Sequence, residues 1–149
     1  MKKFIVLLLI TVGNFSFGQG ENVPFNKDFF SNDKAGFKSA VNEIEFGDVY
    51  FYRGSATDLA KALTHYLKAD TFNHYSTDLN YKIGVCFLNS LQKFKSLEYL
   101  QFAYEKSPID TKYDDIDFYL GQAYHLNEKW DKAIEHYRIY KDDVGDKDK

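Results

Sequence analysis

Gly47, Gly84 and Gly121 are spaced 37 residues apart. Each sits in a stretch whose neighbours otherwise favour helix. A glycine inside a helix costs about 1 kcal/mol relative to alanine, so its return at a fixed interval points to a repeated close contact. Each glycine follows a bulky apolar residue (Phe46, Ile83, Leu120) and precedes an aromatic by three (Tyr50, Phe87, Tyr124). A second triplet recurs downstream: Ala62, Tyr66 and Ala69, then Ser96, Leu100 and Ala103, then Ala133, Tyr137 and Tyr140. A period in this range is the mark of stacked helical units that cannot bury their apolar faces alone.

With these positions in hand, the chain resembles the tetratricopeptide repeat family, whose pattern is a large residue, Leu-Gly and Tyr on one helix, then Ala, a large aromatic and a closing Pro on the next. Leu120-Gly121-x-x-Tyr124 with Ala133 and Tyr137 fits it well. Ile83-Gly84-x-x-Phe87 with Leu100, Ala103 and Pro108 fits nearly as well, with Ser96 in the first Ala place. Phe46-Gly47-x-x-Tyr50 with Ala62, Tyr66 and Ala69 is the loosest, with His74 in the Pro place. The resemblance implies an all-α fold: three helix-turn-helix repeats, at about 36–72, 76–108 and 113–145, stacked as a short right-handed solenoid. In that reading each glycine admits the second helix of its unit, with the small Ala or Ser facing it.

The local signals agree. Ser55-x-x-Asp58 and Thr111-x-x-Asp114 have the spacing of a capping box, and Ser76 with Asp78 reads as another helix start. The helices are expected near 36–52, 56–70, 77–91, 93–107, 113–127 and 129–143, with Pro108 closing the fourth.

Residues 1–18 read as a secretory signal. Lys2 and Lys3 precede the apolar run Phe4–Val12, and Ser16-Phe17-Gly18 offers small residues for cleavage before Gln19. The run is too short for a membrane span, and no cysteine follows the cleavage point to carry a lipid. Residues 19–35 form an N-terminal segment and 146–149 a charged tail. Without Lys2 and Lys3 the 19 basic residues fall to 17 against 22 acidic ones, a formal charge of −5. A weakly acidic chain with interspersed charges has no electrostatic footprint for nucleic acid. Cys86 is the one cysteine, so an exported chain must fold without an internal disulfide, and its apolar surroundings mark it as a small buried hydrophobe.

No pattern of catalysis emerges. His65, His74, His125 and His136 make no i, i+4 metal pair. The cluster Asp114, Asp115 and Asp117 lacks the glycine and distal Glu of a calcium loop. No nucleophile and base can be paired, and neither cofactor nor metal is expected. Binding has residues behind it. In the tetratricopeptide family the first helices line a concave groove, and positions three before, one after and four after each glycine share a helical face. They are Ile44, Asp48 and Phe51; Tyr81, Val85 and Leu88; and Phe118, Gln122 and His125. Asp48 and Asp115 flank this face and Lys82 is the one base near it, so it suits an apolar or aromatic segment of a protein partner better than a carboxylate. Phe25, Phe29 and Phe30 of the N-terminal segment are the alternative occupant.

The last helix carries Ile134, Tyr137, Ile139 and Tyr140 with no polar capping helix after it, so a partner or further domains beyond Lys149 are expected to cover it. "NYKIGVCFLNS" and "YLGQAYHLNEKWDKAIEHY" look like the N-terminal repeats of exported Gram-negative envelope proteins in which repeats precede a β-propeller and an OmpA-like domain, some tied to type IX secretion. That resemblance implies a periplasmic or outer-membrane-associated scaffold, a spacer module, or an accessory that positions substrates for a secretion machine. Export is directly checkable: the intact mass of the mature protein is expected to correspond to a chain beginning at Gln19, and a retained Met1 in the membrane fraction would contradict the signal.

Overall fold

The computed structural model describes residues 20–108 and 113–147. The described chain is all helical: α1 (Lys34–Phe51), α2 (Ala56–Asp70), α3 (Thr77–Leu88), a 3₁₀ turn (Lys93–Lys95), α4 (Ser96–Lys106), α5 (Ile116–Leu126) and α6 (Trp130–Lys147). α1 packs chiefly on α2, α3 on α4 and α5 on α6. Lesser contacts of α2 with α3 and α4 with α5 join consecutive pairs.

The helix starts follow local chemistry. Ser55 Oγ accepts from the Asp58 amide at 3.1 Å and its hydroxyl donates to Asp58 Oδ2 at 2.6 Å. Ser76 Oγ accepts from the Leu79 amide at 3.3 Å. α1 begins earlier than expected because Asp33 caps it, accepting from the Gly36 amide at 2.8 Å. α3 stops three residues short of its expected end, where the Asn89 side chain turns back to donate to the Val85 carbonyl. α4 is preceded by the 3₁₀ turn, and α5 starts at Ile116 rather than residue 113. Thr111 of the expected capping pair lies outside the described residues. α4 ends at Lys106, and Ser107 is extended before Pro108, as the proline requires. α6 continues to Lys147, through most of what reads in sequence as a repeat end and charged tail.

The repeated glycines are contact points, but their partners differ from expectation. A Cβ at Gly47 would strike the Tyr66 ring, at Gly84 it would lie 2.5 Å from Leu100 Cγ, and at Gly121 2.5 Å from Tyr137 Cδ1. The atoms nearest each glycine thus belong to the large residue of the second helix. Ala62, Ser96 and Ala133, with Ala69 and Ala103, are buried. The bulky side chain lies across the bare backbone, which brings the two helices together without a gap.

Two apolar clusters result. One joins the first two pairs through Ala62, Tyr66, Leu79, Ile83 and Phe87. The other joins the second and third through Tyr81, Val85, Leu100, Leu120 and Tyr124. α3 contributes to both, and every residue from Leu79 to Leu88 is buried. Cys86 lies in the first cluster, where burial pushes its thiol up to about 12, which leaves it unreactive at neutral pH. The N-terminal segment does not occupy the face assigned to binding. Phe25 and Phe30 pack with Phe37 and Phe72, and Asn73 donates to the Val23 carbonyl at 2.7 Å. These contacts hold it beside the α2–α3 connection, with Phe29 left exposed.

Replacing Gly84 or Gly121 by Leu is expected to lower stability by about 1–3 kcal/mol or more, the range for overpacking. Gly84→Leu is expected to cost more, because the Leu100 backbone nitrogen also lies 3.3 Å from the new Cβ while Tyr137 is only half-buried. Urea melts check this; unchanged midpoints would remove the steric account of the period.

Candidate interaction surface

Two sets of positions flank each glycine on the first helix of a pair. Residues one before, two after and three after it turn toward the preceding pair. In α3 these are Ile83, Cys86 and Phe87, all in the cluster shared with α1 and α2. Residues three before, one after and four after turn toward the following pair. In α3 these are Tyr81, Val85 and Leu88, all buried in the cluster shared with α5 and α6. The second set is the one the sequence assigns to an open groove. That assignment is corrected for the middle pair: these residues are inter-pair core.

The other members follow the same rule. Ile44 is half-buried against the first cluster and Phe51 packs on both. Asp48 is engaged by Tyr66 and Lys82. Phe118, Gln122 and His125 are less covered, since no fourth pair follows among the described residues. Phe118 turns to Tyr140 of α6, with ring centroids 5.2 Å apart, and His125 lies 5.0 Å from Trp130.

A polar seam runs along this buried face. Tyr66 donates to Asp48 at 2.6 Å, and Lys82 Nζ lies 3.0 Å from both Asp48 and Asp78. Tyr113 donates to Asp78 at 2.7 Å and its ring stacks on Tyr81, centroids 3.7 Å apart. Tyr81 then donates to Asp115 at 2.7 Å. Burial, then the neighbouring carboxylates, push the phenols of Tyr66, Tyr81 and Tyr113 well above the usual tyrosine range. Burial works against the charge of Lys82, but Asp78 and Asp48 outweigh it and hold the ammonium above its ordinary value. The one base near the face is therefore committed to two carboxylates inside the protein.

The histidines repeat as well. His65 Nδ1 lies 2.7 Å from Glu43, four residues before Gly47, and His136 Nδ1 lies 2.7 Å from Asp117, four before Gly121. The middle pair puts Asn80 and Tyr99 in these places. His136 is covered by Tyr104 of α4 and stacked on Tyr124. His65 has no preceding helix over it among the described residues and instead carries Phe46 and Tyr50, at 5.7 and 5.9 Å.

That contrast marks an apolar face that the first pair leaves exposed. Phe46 is 58% exposed, whereas its counterparts Ile83 and Leu120 are 0% and 1%. Val49 is 53% exposed against 1% for Cys86 and 0% for Ala123. The first pair thus presents, uncovered, the same apolar positions that the later pairs bury under their predecessors. Repeat alignment could have found it, because Phe46 and Val49 are apolar at places where their counterparts are core. At the other end, α6 shows Ile134 and Val144 to solvent, and Ile139 is half-buried.

Comparison with protein-family models, with curated proteins and with solved structures returns no match.

Two outcomes are expected. Tyr81→Ala should lower stability by about 3–5 kcal/mol, the range for a core aromatic, as should Tyr124→Ala; a near-neutral Tyr81→Ala would return that ring to the surface. The second concerns His74, whose Nδ1 lies 2.9 Å from Asp70. That hydrogen bond raises its pKa against the opposing effect of burial. A raised folded-state pKa means the pair stabilises fully below the unfolded value of about 6.5 and loses that contribution as pH rises through the folded value. The urea midpoint should therefore fall over that window, and His74→Gln should flatten the fall. An unaltered slope in the variant would contradict it.

Proposed function

We propose that the chain is an exported, non-enzymatic scaffold of three tetratricopeptide-type helix pairs that binds a protein partner. The observation that carries the reading is the exposure of Phe46 and Val49 at positions buried in both later pairs. Supporting it are the glycine period, the pairing of α1 with α2, α3 with α4 and α5 with α6, and the signal-like residues 1–18. The partner surface in this proposal is the outer face of α1 and α2 rather than the face of Tyr81 and Val85. Apolar positions of this kind anchor interfaces when a partner desolvates them. A helical segment is the natural occupant, since helices cover the equivalent positions twice within the chain.

A second reading is favoured by Ile134 and Val144 on α6: the pairs form one stretch of a longer envelope protein whose further helices or domains lie against that end, and the module acts as a spacer. Site-specific photocrosslinking in cells separates the two. A photoreactive residue replacing Phe46 is expected to capture a protein partner, whereas one replacing exposed Glu105 of α4 is not. Phe46→Asp should abolish partner binding without shifting the urea midpoint, because that side chain is mostly solvated. Equal labelling from both positions, or none from Phe46, would contradict the binding scaffold and leave the spacer.

A further inference from the structure

Four large apolar side chains stand in solvent where the α3–α4 and α5–α6 turns meet. Leu91 is 102% exposed, Phe94 59%, Leu126 45% and Trp130 54%. The two turns form one patch, because Asn127 Nδ2 donates to the Phe94 carbonyl at 3.2 Å and the 3₁₀ turn also contacts α5. Burial inside the fold does not explain these side chains, since Leu91 touches almost nothing. The same two segments carry Lys93, Lys95, Lys129 and Lys132, all exposed. Lys95 lies over the Phe87 ring at 5.9 Å, and Lys132 and Lys129 lie over Tyr124 at 5.3 and 6.0 Å. Those contacts hold three of the basic groups over rings near the C-terminal ends of α3 and α5. Glu128 and Asp131 are the acids in the same two segments, in a chain whose formal charge is −3. The positive charge is local to the tip.

We propose that this end of the molecule is a peripheral membrane-docking tip for an anionic bilayer surface. An indole with one polar edge, a phenyl ring and two leucines suit the boundary between headgroups and acyl chains. Lysines of the same two segments can reach the phosphates while their stems cover apolar surface. A soluble polyanion would use the lysines but leave Leu91 and Trp130 in water, and a neutral apolar partner would leave the lysines without counter-charge. A bilayer with an apolar interior beneath anionic headgroups satisfies both. No helix among the described residues is long and apolar enough to cross a membrane, so the contact is superficial. This inference stands apart from the partner surface on α1.

Trp130 is the only tryptophan in the chain, so its emission reports the tip and no other region. With the full chain, vesicles of phosphatidylcholine mixed with phosphatidylglycerol are expected to shift that emission to the blue, and pure phosphatidylcholine vesicles to do so far more weakly. Combined Leu91→Asp and Phe94→Asp should weaken binding at least about tenfold while leaving the urea midpoint in place. Lys129→Gln should weaken it about fivefold, and added salt should weaken it in the parent. An emission unchanged by either vesicle overturns the proposal, as does co-sedimentation that survives Leu91→Asp and Phe94→Asp. Equal shifts with neutral and anionic vesicles overturn the anionic assignment. A shift that follows protein concentration without vesicles assigns the patch to a second copy instead.

Discussion

The architecture depends on one recurring contact: a bulky side chain of a second helix lying across the bare backbone of a first. Tyr66 on Gly47, Leu100 on Gly84 and Tyr137 on Gly121 set the closeness of each pair. That closeness fixes the rotation of each first helix, and with it the side chains that turn to the preceding and following pairs. In α3 both sets find partners, and the helix is buried along nearly its whole length. In α1 one set has no cover among the described residues, and Phe46 and Val49 are left exposed. Which apolar positions stay exposed thus follows from which helix pairs have a neighbour among the described residues.

The polar seam adds specificity to this stacking. Lys82 ties Asp48 of the first pair to Asp78 of the second, and Tyr81 reaches Asp115 ahead of α5. Buried groups of this kind are costly when left single and acceptable when every partner is present. Sliding one pair along the next by a helical turn would part Lys82 from Asp48 or the Tyr81 hydroxyl from Asp115, while Asp78, on the same helix, would stay beside Lys82. The apolar clusters alone would tolerate such a slip more easily. The seam therefore sets register, and it consumes the charge that a groove for a carboxylate would require.

Much of the fold was legible in the sequence because it is local and periodic. The glycine spacing located the helix pairs, and Ser55 and Ser76 marked helix starts through contacts three residues away. The face of the first helices was not legible. A glycine shows where the partner helix of its own pair approaches, but which remaining side is open depends on neighbours far away in sequence, so Tyr81, Val85 and Leu88 looked like a groove. Tyr113 was hidden for the same reason: it precedes its helix and its role comes from stacking on Tyr81 and bonding to Asp78. The shortened α3 turns on the Asn89 side chain bonding back to Val85, a competition between side chain and ladder that propensity does not resolve.

The central claim is that stability is concentrated in the middle of the stack while the outer helices carry unsatisfied faces. Native-state hydrogen exchange of the isolated protein measures this helix by helix. The amides of α3 and α4 are expected to exchange slowest, those of α1 and α6 to open first, and α1 to gain protection when the proposed partner is bound. Protection of α1 equal to that of α3 in the isolated chain would contradict the account, since it would mean that the face of Phe46 and Val49 is already covered.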